Sequence, residues 1–260
     1  MKVSIASYAF HGLLAEGKMD VFGYLESCRH RYGLQAADIW NGFLKSTDED
    51  YLKKVRQALD ERDMVLVNLC VDGAHLWDPD PQVREKLYQN ALAHLRAGEI
   101  LGAKTVRIDM GGKSSEMTGE QFDHIVKRYR EYCRRAGDNG YRVGPENHFG
   151  PALVLENMER VCKAVDHPAY GVLLHLTHWV QGEVDKGDRL CAPWTMHTHV
   201  QLGFTNEQLK EKMRMLLAAG YQGHWGVEHH SGKSEYIEVA HQVAQAAMLE
   251  HQLSMEGAPK

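Results

Sequence analysis

The chain has 260 residues, of which 43% are hydrophobic and 25% charged, and its formal net charge is -5. This composition is typical of a folded globular protein with a sizeable buried core. The acidic balance and the lack of a basic stripe argue against a nucleic-acid partner, and no apolar run reaches the roughly 18 residues of a membrane helix. The five cysteines are scattered without a CxxC pair, so we expect free thiols in a reducing cytoplasm.

Short apolar runs alternate with longer amphipathic segments along the whole chain, which predicts strands alternating with helices. The predicted strands are 3–8, 35–40, 64–71, 104–110, 141–147, 170–176, 195–201 and 224–230. The predicted helices are 20–33, 48–63, 81–102, 119–140, 151–165, 206–220 and 233–253. The interval 177–193 has the weakest helical pattern and is predicted to be mostly loop, and the tail 254–260 is predicted to fray.

Eight strand–helix units in this order predict a parallel sheet with right-handed crossovers. A chain of about 250 residues with eight units fits a closed (β/α)8 barrel better than an open doubly wound sheet. No GxGxxG motif opens the first helix, which disfavours dinucleotide binding. No linker or shift in composition divides the chain, so we expect one TIM-barrel domain over residues 1–260. Its active site is expected at the carboxyl ends of the strands.

Each of the last four predicted strands carries near its carboxyl end a residue type that binds metals: Glu146, His175, His199 and Glu228. Their intervals of 29, 24 and 29 residues each match about one βα repeat. Because the carboxyl ends of neighbouring barrel strands converge, these side chains are predicted to form one metal site. Two His and two Glu suit Mn, Fe, Co or Zn better than Ca or Mg. We expect one divalent ion and favour Mn, with Co, Zn, Fe or Mg as alternatives.

These residues also have structural alternatives. Glu146 would be satisfied by a salt bridge to Arg107 or Lys104 at the barrel rim, because a buried carboxylate needs a partner. His175 and His178 would be satisfied as hydrogen-bonded rim histidines. Their spacing of three does not place both on one strand face, so we assign His175 to the metal. His178 is assigned either to support of a metal ligand or to substrate contact.

Other strand ends supply candidate substrate contacts. Arg107 offers a forked donor set for sugar hydroxyls or an anion, and its alternative is a buried pair with Asp109 or Glu146. His197 lies two residues before His199, so both share a strand face, and His197 is expected one layer deeper, where it would orient its neighbour. A Trp at a barrel rim suits a sugar ring but is also common as packing. The predicted substrate-binding set is Trp40, His75, Arg107, His148, His178 and His197.

The motifs around these residues resemble the xylose isomerase-like TIM-barrel superfamily, in its sugar phosphate isomerase/epimerase group. The likeness is carried by PENH at 145–148, LLHLTH at 173–178, HTHVQ at 197–201 and VE at 227–228, and LGAKTVRIDMGG at 101–112 adds to it. It covers essentially the whole chain and does not identify a substrate. It also implies a homo-oligomer, because relatives are often dimers or tetramers.

In the ketose 3-epimerases of this superfamily, four strand-end ligands hold one divalent metal, and the two glutamates also move the proton. By position, the resemblance assigns the ligands to Glu146, His175, His199 and Glu228, with Glu146 and Glu228 as catalytic residues. The chain departs from the family at His175, where an Asp is usual, and at Gln201, where a Lys is frequent.

The expected function is therefore a divalent-metal-dependent sugar isomerase or epimerase. It would transfer a proton next to the carbonyl of a small sugar or keto-sugar through a metal-stabilised enediolate. The same site would support a lyase or hydratase acting on a 3-keto sugar or related polyol. A non-catalytic sugar- or metal-binding subunit is the alternative from another class, motivated by His175 and Gln201. The nuclease branch is disfavoured, because it needs further ligands for three zinc ions and a basic face.

Overall fold

The computed structural model describes residues 1–180 and 182–256, and over these ranges eight parallel strands alternate with helices. The strands are β1 (Val3–Ile5), β2 (Ala36–Trp40), β3 (Val65–Val71), β4 (Thr105–Ile108), β5 (Arg142–Gly144), β6 (Val172–His175), β7 (Thr195–Gln201) and β8 (Trp225–Glu228). The helices are α1 (His11–Ala15), α2 (Val21–Glu26), α3 (Glu49–Glu61), α4 (Pro81–Leu101), α5 (Gly119–Asp138), α6 (Leu155–Val165), α7 (Val184–Cys191), α8 (Asn206–Ala218) and α9 (Glu235–Glu256).

The strands form two parallel ladders that close into one ring. One ladder has the order β1-β8-β7-β6 and the other β2-β3-β4-β5. Single bridges join the ladders, from Ala6 to Asp38 on one side and from Glu146 to Leu173 on the other. The predicted (β/α)8 barrel is thereby confirmed. Because every strand runs in the same direction, all carboxyl ends open at one mouth.

Local sequence signals explain where the helices begin and end. Asp80 accepts a hydrogen bond from the backbone N–H of Gln82, and Pro81 starts α4 where a missing N–H costs nothing. Thr205 forms a capping box with Gln208 at the start of α8. Such caps contribute about 1 kcal/mol each to helix stability. Among the described helices, none is long and apolar enough to cross a bilayer.

Strand β5 is shorter than predicted and ends two residues before Glu146. Pro145 has no N–H to donate to a ladder, although its carbonyl still accepts a hydrogen bond from Leu173 N at 2.8 Å. Gly144 is required just before it, because a Cβ there would lie 1.7 Å from the carbonyl oxygen of Gly171. Glu146 therefore lies on an irregular segment that is pressed closely against β6.

Two predictions of local structure were wrong. The interval 177–193 contains α7, which Asp188 anchors by accepting hydrogen bonds from Trp179 Nε1 at 2.8 Å and from Thr177 N at 3.0 Å. The tail does not fray at 254, because buried Leu253 and the contact of Glu256 with Arg214 at 2.9 Å extend α9 to Glu256. The rest of the predicted tail, 257–260, lies outside the described residues.

The predicted helix 20–33 also differs from the structure. It is divided into α2 and a π turn at Ser27–Arg31, where the backbone winds more loosely. All five cysteines are buried free thiols, as expected from their spacing.

Candidate active site

A cavity of about 410 Å³ opens at the carboxyl ends of the strands. This is large enough for a small ligand, since binding pockets commonly measure about 300–1,000 Å³. The cavity is lined by Ala6, Tyr8, Asp38, Trp40, Cys70, Asp72, Arg107, Glu146, His148, His175, His178, His199, Gln201, Glu228 and His230. The four predicted metal ligands are all in this set.

The four predicted ligands converge on one point at the cavity floor, where one ligand atom from each lies within 4.8 Å of the others. Nδ1 of His175 is 3.1 Å from Glu146 Oε1 and 3.6 Å from Glu228 Oε2. Nδ1 of His199 is 3.5 Å from Glu146 Oε1 and 3.3 Å from Glu228 Oε2. Adjacent ligands placed about 2.1 Å from one ion are separated by roughly 3.0–3.4 Å. The spacing therefore matches a single coordination sphere.

The unsatisfied atoms of this cluster also fit a cation. Glu146, His175, His199 and Glu228 are between 1% and 8% exposed. Within the described part of the chain, His199 Nδ1 and Glu228 Oε2 are buried without a hydrogen-bond partner. Leaving such atoms unpaired costs roughly 1–3 kcal/mol each. A divalent ion placed between them would satisfy both atoms, so the donor set fits one.

Asp38 fixes the orientation of His199. Its Oδ2 accepts hydrogen bonds from His199 Nε2 at 3.0 Å and from His197 Nε2 at 2.7 Å, and its Oδ1 accepts from Asn68 Nδ2 at 2.8 Å. Because a carboxylate only accepts, His199 carries a proton on Nε2, and its Nδ1 is the atom that faces the cluster, where a bound ion would take the place of a proton. Hydrogen-bonded carboxylates of this kind orient metal-binding histidines in proteins.

The charges around the cluster favour a positive charge at its centre. Burial opposes ionisation of Glu146, yet the hydrogen bond from His175, the nearby His199 and the charge of Arg107 hold its pKa well below the usual range. Burial likewise opposes protonation of His199, but Glu228 and Asp38 raise the pKa of that imidazole well above its ordinary value.

Arg107 supports Glu146 from the β4 side. Its Nε lies 3.3 Å from Glu146 Oε2, and its Nη1 contacts Asp109 Oδ2 at 2.9 Å and Asp72 Oδ1 at 2.8 Å. These contacts agree with the alternative given for Arg107 from the sequence, in which it forms a buried pair with Asp109 or Glu146. Asp109, Glu146 and His148 are also close enough to surround an ion. However, the guanidinium of Arg107 already pairs with both carboxylates, which favours one metal ion over several.

Part of the predicted substrate-binding set lines the cavity: Trp40, Arg107, His148 and His178. His148 Nδ1 lies 3.2 Å from Asp109 Oδ2. Burial lowers the pKa of His148, but the hydrogen bond to Asp109 and the charge of Glu146 outweigh it and raise that pKa to about 8. His178 reaches the cavity because Thr177 adopts a left-handed conformation with φ 66°, which places the His178 ring 4.9 Å from that of His175.

His75 and His197 are absent from the described lining of this cavity, so their predicted contact with substrate is not supported. His75 lines a neighbouring pocket of about 150 Å³ beside Phe149, because its loop is hydrogen-bonded to the end of β4 through Leu76 N and Asp109 O. His197 points inward one layer below His199, where Asp38 holds it. His197 therefore shares the carboxylate of Asp38 with His199, and its orienting role stays a prediction.

Other residues that line the cavity were not predicted from the sequence. Asp38 and Asp72 are carboxylates beside apolar strand residues, and this pattern could have identified them as candidates. Tyr8 follows β1 and approaches Trp40 edge-on, with ring centroids 5.2 Å apart. His230, two residues after Glu228, contacts Glu228 Oε2 through Nε2 at 3.2 Å.

Residues 30–250 match the family described as xylose isomerase-like TIM barrel, and the chain belongs to this family. No curated protein matches the chain. Similar solved structures include an L-ribulose 3-epimerase, with 13% identity and a TM-score of 0.77 over 98% of both chains. D-psicose 3-epimerase from Clostridium cellulolyticum H10 has 15% identity and a TM-score of 0.73, over 95% of this chain and 97% of that one.

A third similar structure is described as the probable 3-DHS dehydratase AsbF from Bacillus anthracis. It has 14% identity and a TM-score of 0.73, over 94% of this chain and 98% of that chain. At these identities the likeness shows the fold alone. The structural neighbours thus include both epimerases and a dehydratase.

Proposed function

We propose that the chain is a divalent-metal-dependent isomerase or epimerase that moves a proton next to the carbonyl of a sugar. The observation that carries this proposal is the convergence of four ligand atoms at the floor of a polar cavity of about 410 Å³. The 3-epimerases among the structural neighbours support it.

Glu146, His175, His199 and Glu228 would hold the ion, and Mn is the metal we favour for this mixed nitrogen and oxygen set. When bound, the ion would supply Lewis-acid polarisation of a carbonyl oxygen and so stabilise the negative charge that develops there. The four protein ligands leave room for substrate oxygens in a five- or six-coordinate sphere.

Glu146 and Glu228 are the proposed acid–base pair. They lie on different sides of the cluster, after β5 and at the end of β8, with the histidines of β6 and β7 between them. Glu228 contacts the half-exposed His230, which gives its proton a route to solvent. Arg107 contacts Glu146 and, after His175 and His199, contributes to the low pKa of that carboxylate. Positioned carboxylates of this kind contribute about 10²–10⁴-fold to proton transfer.

The remaining polar groups would orient the substrate. Arg107, His148 and His178 face the cavity as hydrogen-bond partners for hydroxyl groups, and Trp40 offers an apolar surface beside them. Groups that hold a substrate in a reactive geometry lower the barrier by removing the entropy of alignment.

A lyase or hydratase is the second candidate. His148 faces the cavity while Asp109 holds its ring, so it is placed to donate a hydrogen bond to a departing oxygen. The dehydratase among the structural neighbours supports this alternative. The two outcomes share the first proton abstraction and differ in whether the proton returns or a β-oxygen leaves.

The test is a screen of keto sugars in D2O with the metal-stripped protein reloaded with Mn, Co or Zn. Proton and carbon NMR would detect deuterium uptake, a new epimer or loss of water. We expect metal-dependent deuterium uptake next to the carbonyl. Binding without exchange for every sugar and metal would instead indicate a non-catalytic binding subunit.

A further inference from the structure

A smaller cavity of about 150 Å³ adjoins the active-site cavity on the side of β3, β4 and β5. We call it the side pocket, and it is lined by Val71, Asp72, Gly73, His75, Asp109, His148 and Phe149. Asp72 and His148 line both cavities, so these two side chains form the boundary between them. A ligand in the active-site cavity that extends past this boundary would enter the side pocket.

The loops around the side pocket are fixed by backbone contacts. The loop that carries His75 is tied to the end of β4, because Leu76 N donates a hydrogen bond to Asp109 O at 3.0 Å. The loop that carries Phe149 lies directly on the loop after β4, where a Cβ on Gly150 would be 2.3 Å from the carbonyl oxygen of Gly112. The walls are therefore in place before a ligand binds, which lowers the entropy cost of binding.

Phe149 gives the side pocket an apolar wall that faces water. It is 37% exposed, and within the described part of the chain no other Phe, Tyr or Trp is classed as exposed. Its ring lies edge-on to His75 and His148, with ring centroids 6.3 Å and 5.4 Å apart. Covering an exposed aromatic ring with the apolar face of a ligand is favourable, because it removes that surface from water.

Asp72 gives the side pocket a hydrogen-bond acceptor at its boundary. Its Oδ1 accepts from Arg107 Nη1 at 2.8 Å and its Oδ2 from Trp40 Nε1 at 2.7 Å, so the carboxylate is held in place. The side chain is nevertheless 49% exposed, and each carboxylate oxygen has a second lone-pair site for a ligand hydroxyl. An acceptor together with an exposed aromatic ring suits a ligand group that has both hydroxyls and an apolar face.

We propose that the side pocket is a second sugar subsite, and that the ligand of this protein is a sugar that carries a second hydroxylated ring through a glycosidic oxygen. The pocket volume equals that of about five water molecules at roughly 30 Å³ each, so it holds part of such a ring and leaves the rest in solvent. His75 would then contact the second ring rather than the reacting sugar. This inference rests on the proposed function and extends its substrate from one sugar ring to two.

The experiment measures binding apart from turnover. D-fructose is titrated beside its glycosyl derivatives turanose, maltulose, lactulose and isomaltulose, which carry a second sugar ring on different oxygens. Ligand-observed NMR follows binding to Zn-loaded and to metal-stripped protein. We expect at least one derivative to bind about tenfold more tightly than D-fructose in both forms, because the side pocket contains none of the four metal-ligand residues. The inference is overturned if every derivative binds no better than D-fructose, or if none binds.

Phe149→Ala tests the location of the subsite. We expect the preference of this variant for the best derivative over D-fructose to fall to about threefold or less, whereas Phe149→Tyr, which keeps a ring, should retain most of it. Leu217→Ala is the matched control, because it shortens a similarly exposed apolar side chain on α8 and should leave the preference intact. A Phe149→Ala variant with the full preference would overturn the assignment to the side pocket, and circular dichroism confirms that the variants are folded.

The two proposals fail in different ways. Preferred binding of a glycosyl derivative without deuterium exchange into any sugar would refute the proposed function and leave this inference standing. Metal-dependent exchange into D-fructose, with no preference for any derivative, would refute this inference and leave the proposed function standing.

Discussion

The two halves of the barrel mouth contribute differently to the site. From β5 to β8, the strand ends present the four ligand-type side chains to the cavity. From β2 to β4, the side chains hold those ligands in place: Asp38 is hydrogen-bonded to His199, and Arg107 contacts Glu146. We call these the ligand half and the supporting half. The difference indicates that the geometry of the cluster depends on residues that never touch its centre.

In the ligand half, we expect the largest loss of activity from substitution of Glu228. Glu228→Gln removes a charged ligand atom and one member of the proposed acid–base pair. We expect deuterium exchange to fall by at least about 10⁴-fold, because both a metal contact and a proton carrier are lost. The measurement is the exchange rate in D2O together with metal content by mass spectrometry. Exposed Glu207 provides the matched control, Glu207→Gln, which should keep both values, and a fully active Glu228→Gln would refute the assignment.

The supporting half should show its largest effect on stability at Arg107. Arg107→Met leaves the buried carboxylates of Asp109 and Glu146 without their cation. We expect the free energy of unfolding in urea to fall by about 3–5 kcal/mol, as for other broken buried pairs. Arg96→Met breaks a surface pair with Glu49 and should cost much less, because solvent screens exposed charges. Equal losses for the two variants would contradict the supporting role.

Asp38 should affect metal binding more than the fold. Asp38→Asn keeps the shape of the side chain but weakens its hydrogen bonds to His197 and His199. We expect affinity for Mn or Zn to fall about 10- to 100-fold, as for other carboxylates behind metal-binding histidines. Competition with a fluorescent chelator measures this affinity. Asp60→Asn, on the surface of α3, serves as the control, and an unchanged dissociation constant for Asp38→Asn would show that the two halves are independent.

The smallest expected effect is the pH dependence of stability that arises from His224, which precedes β8 at the opposite end of the barrel from the cluster. Burial, followed by the charges of His197 and Lys2, lowers the pKa of His224 to about 4. As the pH falls below 6.5, His224 takes up a proton in the unfolded chain before it does so in the folded protein. Its contribution to the free energy of unfolding is therefore complete above pH 6.5 and declines towards pH 4. We expect a loss of about 1 kcal/mol between pH 7 and pH 5, after allowing for partial exposure.

Urea titrations at pH 7 and pH 5 measure this loss, and His224→Gln should remove that part of it. Both titrations use metal-stripped protein, because binding of a divalent ion to His and Glu ligands depends on pH by itself. A pH dependence identical in wild type and His224→Gln would show that other groups govern acid stability.

The sequence predicts the ligand half better than the supporting half, for a physical reason. Strand ends recur at regular intervals, so the convergence of Glu146, His175, His199 and Glu228 follows from the repeat. The partner of His199 is Asp38, 161 positions away across the barrel, and no local pattern encodes that pairing. The position of His197 beneath His199 follows from period-two alternation, whereas the direction of His75 depends on how its loop folds.

Some predictions remain untested by the structure and the comparisons. These are the roles of the site residues, the single domain over 1–260, the homo-oligomer and the cytoplasmic location. The family, the barrel and the placement of the four ligand-type residues in one cluster are established.

The shared carboxylate of Asp38 also has a consequence for how the protein is made. During synthesis this residue emerges early, whereas every member of the four-residue cluster lies beyond position 145. Contacts between such distant segments form late in folding, because closing a long loop costs entropy first. If the cluster binds an ion as proposed, that binding would therefore follow closure of the ring. A fragment starting after residue 38 would keep all four ligand residues. It would still bind a divalent ion weakly, because His199 would lack the hydrogen bond to Asp38 that orients its ring.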